Sequence, residues 1–326
     1  MVNEMETFLQ TFRDALTMIG LGSKRTRAIK AHEDVRAVLG RDDTLKAWGV
    51  QTILIGSYGR ETAIYPGKDV DVFVKLPDGP DDPEAVFQAV KKPLAAEYGS
   101  RVTEHRRSLM IDYPDDFSVD AVPAIPTAEH WQIPQADEND ERTRWEETDP
   151  EHLTELTHRR NETPLVDDHG AYVPTVKLIR QIRRHHLGKA KPGGLYFEIE
   201  TYWAFDAGVA GDSHAQILAA TLDRIATQLE SGVVINDPAL GRQYDPAPAP
   251  ADQDAAALKF RDLANKAAQA LAAERCPAAV LWREILGKNE QGWVFALPDD
   301  CDEQGKATTR VTPITDKGSR EAHPFA

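Results

Sequence analysis

The feature that most narrows the fold is a short alternation, Asp69-Val70-Asp71-Val72-Phe73-Val74, thirteen residues after Gly56-Ser57. In an extended strand, alternate side chains leave opposite faces, so Asp69 and Asp71 share one face, roughly 6.5 Å apart along the backbone. The valines point the other way, as in a strand with one buried face. A third acid, Asp120, sits in FSVDAVPAI between Val119 and Ala121, which is again an apolar strand context. An isolated carboxylate buried there would be costly without a metal or a partner. Two acids on one strand and a third from another can hold two divalent cations about 3.5–4 Å apart. Gly56-Ser57 directly follows the apolar run Val50–Ile55. Glycine lets a phosphate approach the backbone, and the serine hydroxyl with nearby N–H groups can hold it. Arg60 and Lys68 could neutralise phosphate charge or simply be exposed surface cations. D-x-D or Gly-Ser alone is weak; the three features in this order and context are specific.

Bulk properties fit a soluble enzyme. The 326 residues carry 38 Lys and Arg against 53 Asp and Glu, a net charge of −15. That balance disfavours broad binding to a nucleic-acid backbone, while leaving room for a local basic cleft. Two cysteines, Cys276 and Cys301, are too few for a disulfide scaffold or a four-thiolate zinc site, and are expected to be free thiols. With no secretion signal and no long apolar run, the sequence predicts a cytoplasmic protein without a membrane span.

Apolar spacing predicts helices over Met5–Ile19, Thr26–Leu39 and Pro83–Tyr98, with strands around 101–105 and 108–113. Lys24, Arg25, Arg27 and Lys30 read as a solvated face, with a polynucleotide contact as the sharper alternative. Residues 127–170 read as a long structured loop, and 245–256 (DPAPAPADQDAA) as a loop or hinge. Helices follow over VPTVKLIRQIRRHH, GGLYFEIETYWAF, 213–229, 258–274 and 278–286. His185 and His186 read as surface residues.

GSYGRETAIYPGKDVDVFV resembles the signature of the DNA-polymerase-β-like nucleotidyltransferases, and SVDAVPAI resembles its third-acid strand. HWQIP, RWEETDPEHLTEL, VKLIRQIRRHH and GGLYFEIETYWAF are similar to stretches of the bacterial cGAS/DncV-like nucleotidyltransferases. The resemblance spans roughly residues 50–210. It implies an α+β fold with three parts: a catalytic lobe of mixed sheet and helices (1–170), a helical-bundle lobe (171–298) and a mobile tail (299–326). Nucleotides would bind between the lobes. Asp69, Asp71 and Asp120 would be the catalytic acids and the ligands of two Mg²⁺ ions, with Mn²⁺ able to substitute. Gly56, Ser57, Arg60, Lys177 and Tyr196 would bind nucleotide. Lys177 forms a basic stripe with Arg180 and Arg184 at i+3 and i+7, with an ordinary solvated face as the alternative. Tyr196 would stack on a base or pack in the core, and Leu195 precedes it where related synthases often have serine.

The implied activity is template-independent joining of nucleoside triphosphates into a cyclic di- or trinucleotide messenger in anti-phage signalling. Linear oligonucleotide or RNA-terminal synthesis, and nucleotidylation of another acceptor, are the alternatives. Expected partners are nucleoside triphosphates, a product-sensing effector and an accessory regulator acting on the C-terminal tail.

Overall fold

The computed structural model describes residues 8–139 and 141–308. Met5 and residues 309–326, which hold most of the expected tail, lie outside them.

Two helices, α1 (Leu9–Ile19) and α2 (Lys24–Leu39), and a short α3 (Asp43–Ala47) lead into β1 (Gln51–Ile55). One helical turn, α4 (Gly56–Gly59), separates β1 from β2 (Asp69–Lys75). Then come α5 (Pro83–Tyr98), β3 (Val102–Glu104), β4 (Leu109–Tyr113), β5 (Phe117–Pro126), β6 (Trp131–Ala136) and β7 (Arg142–Thr148). The sheet order is β1-β2-β5-β4-β3, and the β6–β7 hairpin extends from the end of β5. Strands β2 and β5 run parallel while their neighbours are antiparallel, so the sheet is mixed. Val70, Val72, Val74, Val119 and Ala121 bury one face against Ala28, Val35 and Leu39 of α2 and Val86, Phe87, Val90 and Leu94 of α5. This packing leaves the opposite face, with the acids, free of that core.

The second lobe is helical: α6 (Pro150–Arg160), α7 (Tyr172–Leu187), α8 (Gly194–Asp206), α9 (His214–Glu230), α10 (Pro250–Ala272) and α11 (Arg275–Leu286). Its core joins Leu178 and Ile182, Phe197, Leu218 and Leu222, Phe260 and Trp282. Phe197 and Phe260 stack with their ring centroids 4.5 Å apart. No helix among the described residues is long and apolar enough to cross a membrane.

Several expectations need correction. The stretch 127–170 is not a loop, because it holds β6, β7 and α6. Four of the seven residues of β7 are charged and most are half-buried, so no apolar alternation marks the strand. Asp149 caps α6 by accepting from the His152 N–H at 2.9 Å, with Pro150 in the first turn, a helix-start signature that composition masked. Likewise 250–256 is helix, since Pro250 opens α10 rather than breaking it. Helix α1 belongs to the helical lobe: Phe12 packs edge-on to Trp282 and Phe295 at 5.3 Å from each.

The two cysteines are not free, since Cys276 and Cys301 form a disulfide across 25 residues. Residues 299–308 fold back onto the start of α11, with Arg275 paired to Asp300 and Cys301 bridged to Ala307. The fold-back creates the pairing, and linear spacing gave no hint of it. His185 and His186 also do more than face solvent. His186 Nε2 lies 2.9 Å from the Ile285 carbonyl, and His185 Nδ1 accepts from the Lys288 N–H at 3.2 Å, tying α7 to the end of α11.

Candidate active site

The register of β2 on β5 sets Asp71 directly beside Asp120, with Asp69 paired to Ser118. Parallel pairing with opposite residues in phase brings the three acids to one face. Ser118 Oγ donates to Asp69 at 3.1 Å, and Ser108 Oγ donates to Asp120 at 3.2 Å. His105 Nδ1 stands 3.8 Å from Asp120. Gly56 adopts φ = +65°, and a Cβ on it would collide with the Asp71 carboxylate. Glycine here meets two needs at once: a left-handed backbone that turns β1 into α4, and room for the acid.

These residues line an open cleft of about 550 Å³ between the lobes. Gly56, Ser57, Arg60, Lys68 and all three acids come from the catalytic lobe, while Arg180, Arg184, Gly194, Leu195 and Glu290 come from the helical lobe. Burial and the neighbouring Asp120 push Asp71 up to about 7, and Arg60 only partly opposes them. Asp120 is raised too, chiefly by burial, with His105 and the Ser108 hydrogen bond opposing. These shifts are the signature of carboxylates gathered without enough positive charge. An all-oxygen donor set of this kind suits a hard divalent cation such as Mg²⁺. Among the described residues, no group of three or more His, Cys, Asp or Glu side chains is placed so that it could hold a metal ion as it stands.

The structure separates the expected nucleotide contacts. Gly56, Ser57 and Arg60 lie in the cleft with the acids. Lys177 does not line it; it sits on the far side of α4, in a pocket with Gly20, Gly22, Arg25 and Glu61. Burial holds its pKa below the usual lysine range. The expected stripe is therefore divided, with Arg180 and Arg184 lining the cleft and Lys177 lining the neighbouring pocket. Tyr196 is 1% exposed, packed against Tyr244 with ring centroids 5.4 Å apart. Leu195, not Tyr196, is the exposed side chain at the cleft. The sequence pattern missed Thr62, Glu198 and Glu290. Glu198 had a visible signal: a charge between Phe197 and Ile199, inside a run that is otherwise a core helix, needs a partner.

Residues 5–161 match the family model of the Second Messenger Oligonucleotide or Dinucleotide Synthetase (SMODS) domain. No curated protein sequence matches the chain. Among solved structures it is similar to CdnG of Bradyrhizobium diazoefficiens, solved with GTP, at 17% identity and TM-score 0.67 over 83% of this chain and 93% of that one. CdnC of Escherichia coli MS115-1, solved with ATP, gives 16% identity and TM-score 0.66 over 88% and 98%. That protein has also been solved in a complex with HORMA-deltaN. DncV of Vibrio cholerae, a cyclic AMP-GMP synthase, gives 14% identity and TM-score 0.58 over 90% of each chain. These likenesses show the fold, the α+β architecture that the chain shares with CdnG, CdnC and DncV.

Proposed function

We propose that this cleft joins nucleoside triphosphates, without a template, into a cyclic di- or trinucleotide with release of pyrophosphate. The observation that carries the reading is the β2–β5 register, which sets Asp71 beside Asp120 and opposite Arg180 and Arg184, with both acids in the segment that matches the SMODS model. The similar proteins solved with GTP or ATP support it.

In this reading the donor triphosphate lies along α4, with Gly56 and Ser57 against its phosphates. Arg180 and Arg184 face the same space from α7 and pair with the triphosphate's negative charge, in the bound substrate as in the transition state. The acceptor hydroxyl oxygen attacks the donor α-phosphorus, the bond to the β-phosphate breaks, and the hydroxyl proton is lost to Asp120 or solvent. Asp69, Asp71 and Asp120 would hold Mg²⁺, or Mn²⁺, which supplies Lewis-acid polarisation of the phosphate and a more acidic acceptor hydroxyl. A second round of the same substitution closes the ring. We place the enzyme in cytoplasmic anti-phage signalling, with a product-sensing effector and an accessory regulator acting on the C-terminal tail (299–326); the complex of the similar CdnC with HORMA-deltaN supports the regulator.

The test is incubation of the purified protein with α-labelled nucleoside triphosphates, singly and mixed, followed by phosphatase. A small phosphatase-resistant product that D69N/D71N does not form is the expected result. Phosphatase-sensitive ladders would replace this reading with linear synthesis.

A further inference from the structure

Glu198 sits on α8 at 2% exposure, where an unpaired carboxylate could not remain charged. It accepts from Arg60 Nε at 2.6 Å, from Thr62 Oγ1 at 3.1 and 3.2 Å on its two oxygens, and from Arg180 Nη1 at 3.0 Å. Burial alone would raise its pKa, but the two guanidiniums and the Arg60 and Thr62 hydrogen bonds hold it below the usual carboxylate range. Arg60 and Thr62 belong to the segment that follows α4, in the catalytic lobe; Arg180 and Glu198 belong to α7 and α8. One carboxylate therefore ties the two lobes together at the floor of the cleft.

The charge count gives this tie a direction. Two guanidiniums meet one carboxylate, and both arginines line the cleft beside the acids. Arg180 spends one N–H on Glu198 and keeps four others in a rigid planar fork, the geometry that suits phosphate oxygens. A long side chain already fixed at one edge loses less freedom when it takes a ligand.

We infer that Glu198 is a positioning residue that orients Arg180, across the lobe boundary from Arg60, to receive the phosphates of the donor nucleotide. The inference rests on the reading of the cleft as a nucleoside triphosphate site. It differs from a purely structural ion pair in a measurable way: Glu198 should affect nucleotide binding chiefly through Arg180, the more exposed of its two guanidiniums.

The test is a double-mutant cycle on the full-length protein. Binding of α,β-methylene nucleoside triphosphates with Mg²⁺ is measured for wild type, R180Q, E198Q and R180Q/E198Q, with thermal melts alongside. E198Q and R180Q should each weaken binding about tenfold, and the double variant should be within about twofold of R180Q alone, because coupled residues are non-additive. In turnover, E198Q should raise KM about tenfold with kcat changed less than about threefold, the pattern of lost uniform binding. Losses that multiply to about a hundredfold, or wild-type affinity in E198Q, would overturn the inference. If E198Q does not fold, E198D, which keeps the charge on a shorter stem, takes its place in the cycle under the same criteria. Failure of the wild type to bind any of the analogues would instead overturn the reading of the cleft, and this inference with it.

Discussion

Asp71 lines the cleft while Glu198 lies buried behind two of its lining arginines, and the fold treats the two carboxylates in opposite ways. Glu198 receives two guanidiniums and a hydroxyl from its own chain, and its pKa falls. Asp71 is buried beside two further acids, and its pKa rises to about 7 although Arg60 and Arg180 oppose the shift. Glu200, one turn from Tyr196 in the same helix, represents a third solution: burial without a cation pushes it up to about 8, so it stays protonated at neutral pH. The contrast teaches where function resides. Glu198 is neutralised by the chain and Glu200 by a proton, whereas in the proposed reading the Asp69–Asp71–Asp120 trio is left for a ligand to neutralise.

The largest effect should come from removing the trio. D69N/D71N should reduce nucleotide turnover by at least about a thousandfold, with the far-ultraviolet circular dichroism unchanged. Turnover close to wild type would break the comparison at its root. Next in size is E198A, which leaves Arg60 buried and unpaired. It should destabilise the protein by about 3–5 kcal/mol in denaturant titration, the usual cost of breaking a buried pair.

D71N should act in the opposite direction and stabilise the ligand-free protein, by about 2 kcal/mol at pH 8 once access from the cleft is allowed for. The sign follows from linkage. The folded protein holds the Asp71 proton up to about pH 7, while the unfolded chain releases it near 3.8. Stability contributed by this group is therefore complete below about pH 4, declines as pH rises to about 7, and is flat above. Glu200 adds a decline of the same sign that extends to about pH 8. Melts between pH 5 and about 8 should show a falling midpoint in wild type and a shallower fall in D71N. The smallest effect belongs to E200Q. An amide mimics the protonated acid, so at pH 7 it should change stability by less than about 1 kcal/mol. A loss as large as that of E198A would show that Glu200 is charged and paired after all.

The catalytic sheet was legible because its chemistry is local. Alternation places Asp69 and Asp71 on one face whatever the rest of the chain does, and Asp120 carries its own apolar frame. Helices α7, α8 and α9 were readable from the 3.6-residue period. What stayed hidden depended on distant partners. The link from Arg60 to Glu198 spans 138 residues. The Cys276–Cys301 disulfide needs the chain after α11 to turn back, which spacing does not encode. Lys177 and Tyr196 show a finer limit. Each belongs to a helix correctly placed, yet whether a side chain faces the cleft depends on how that helix is rotated in its bundle, and here one turn separates Lys177 from Arg180, while a single residue separates buried Tyr196 from exposed Leu195.

The most direct test of the central claim, that the trio awaits a cation brought with nucleotide, is a thermal melt. Wild type and D69N/D71N would be compared at pH 8, with and without Mg²⁺ and an α,β-methylene nucleoside triphosphate. The account predicts that the wild-type midpoint rises with Mg²⁺ and analogue together and loses most of its pH dependence, while the variant gains little. An equal rise in both proteins, or none in the wild type, would contradict it.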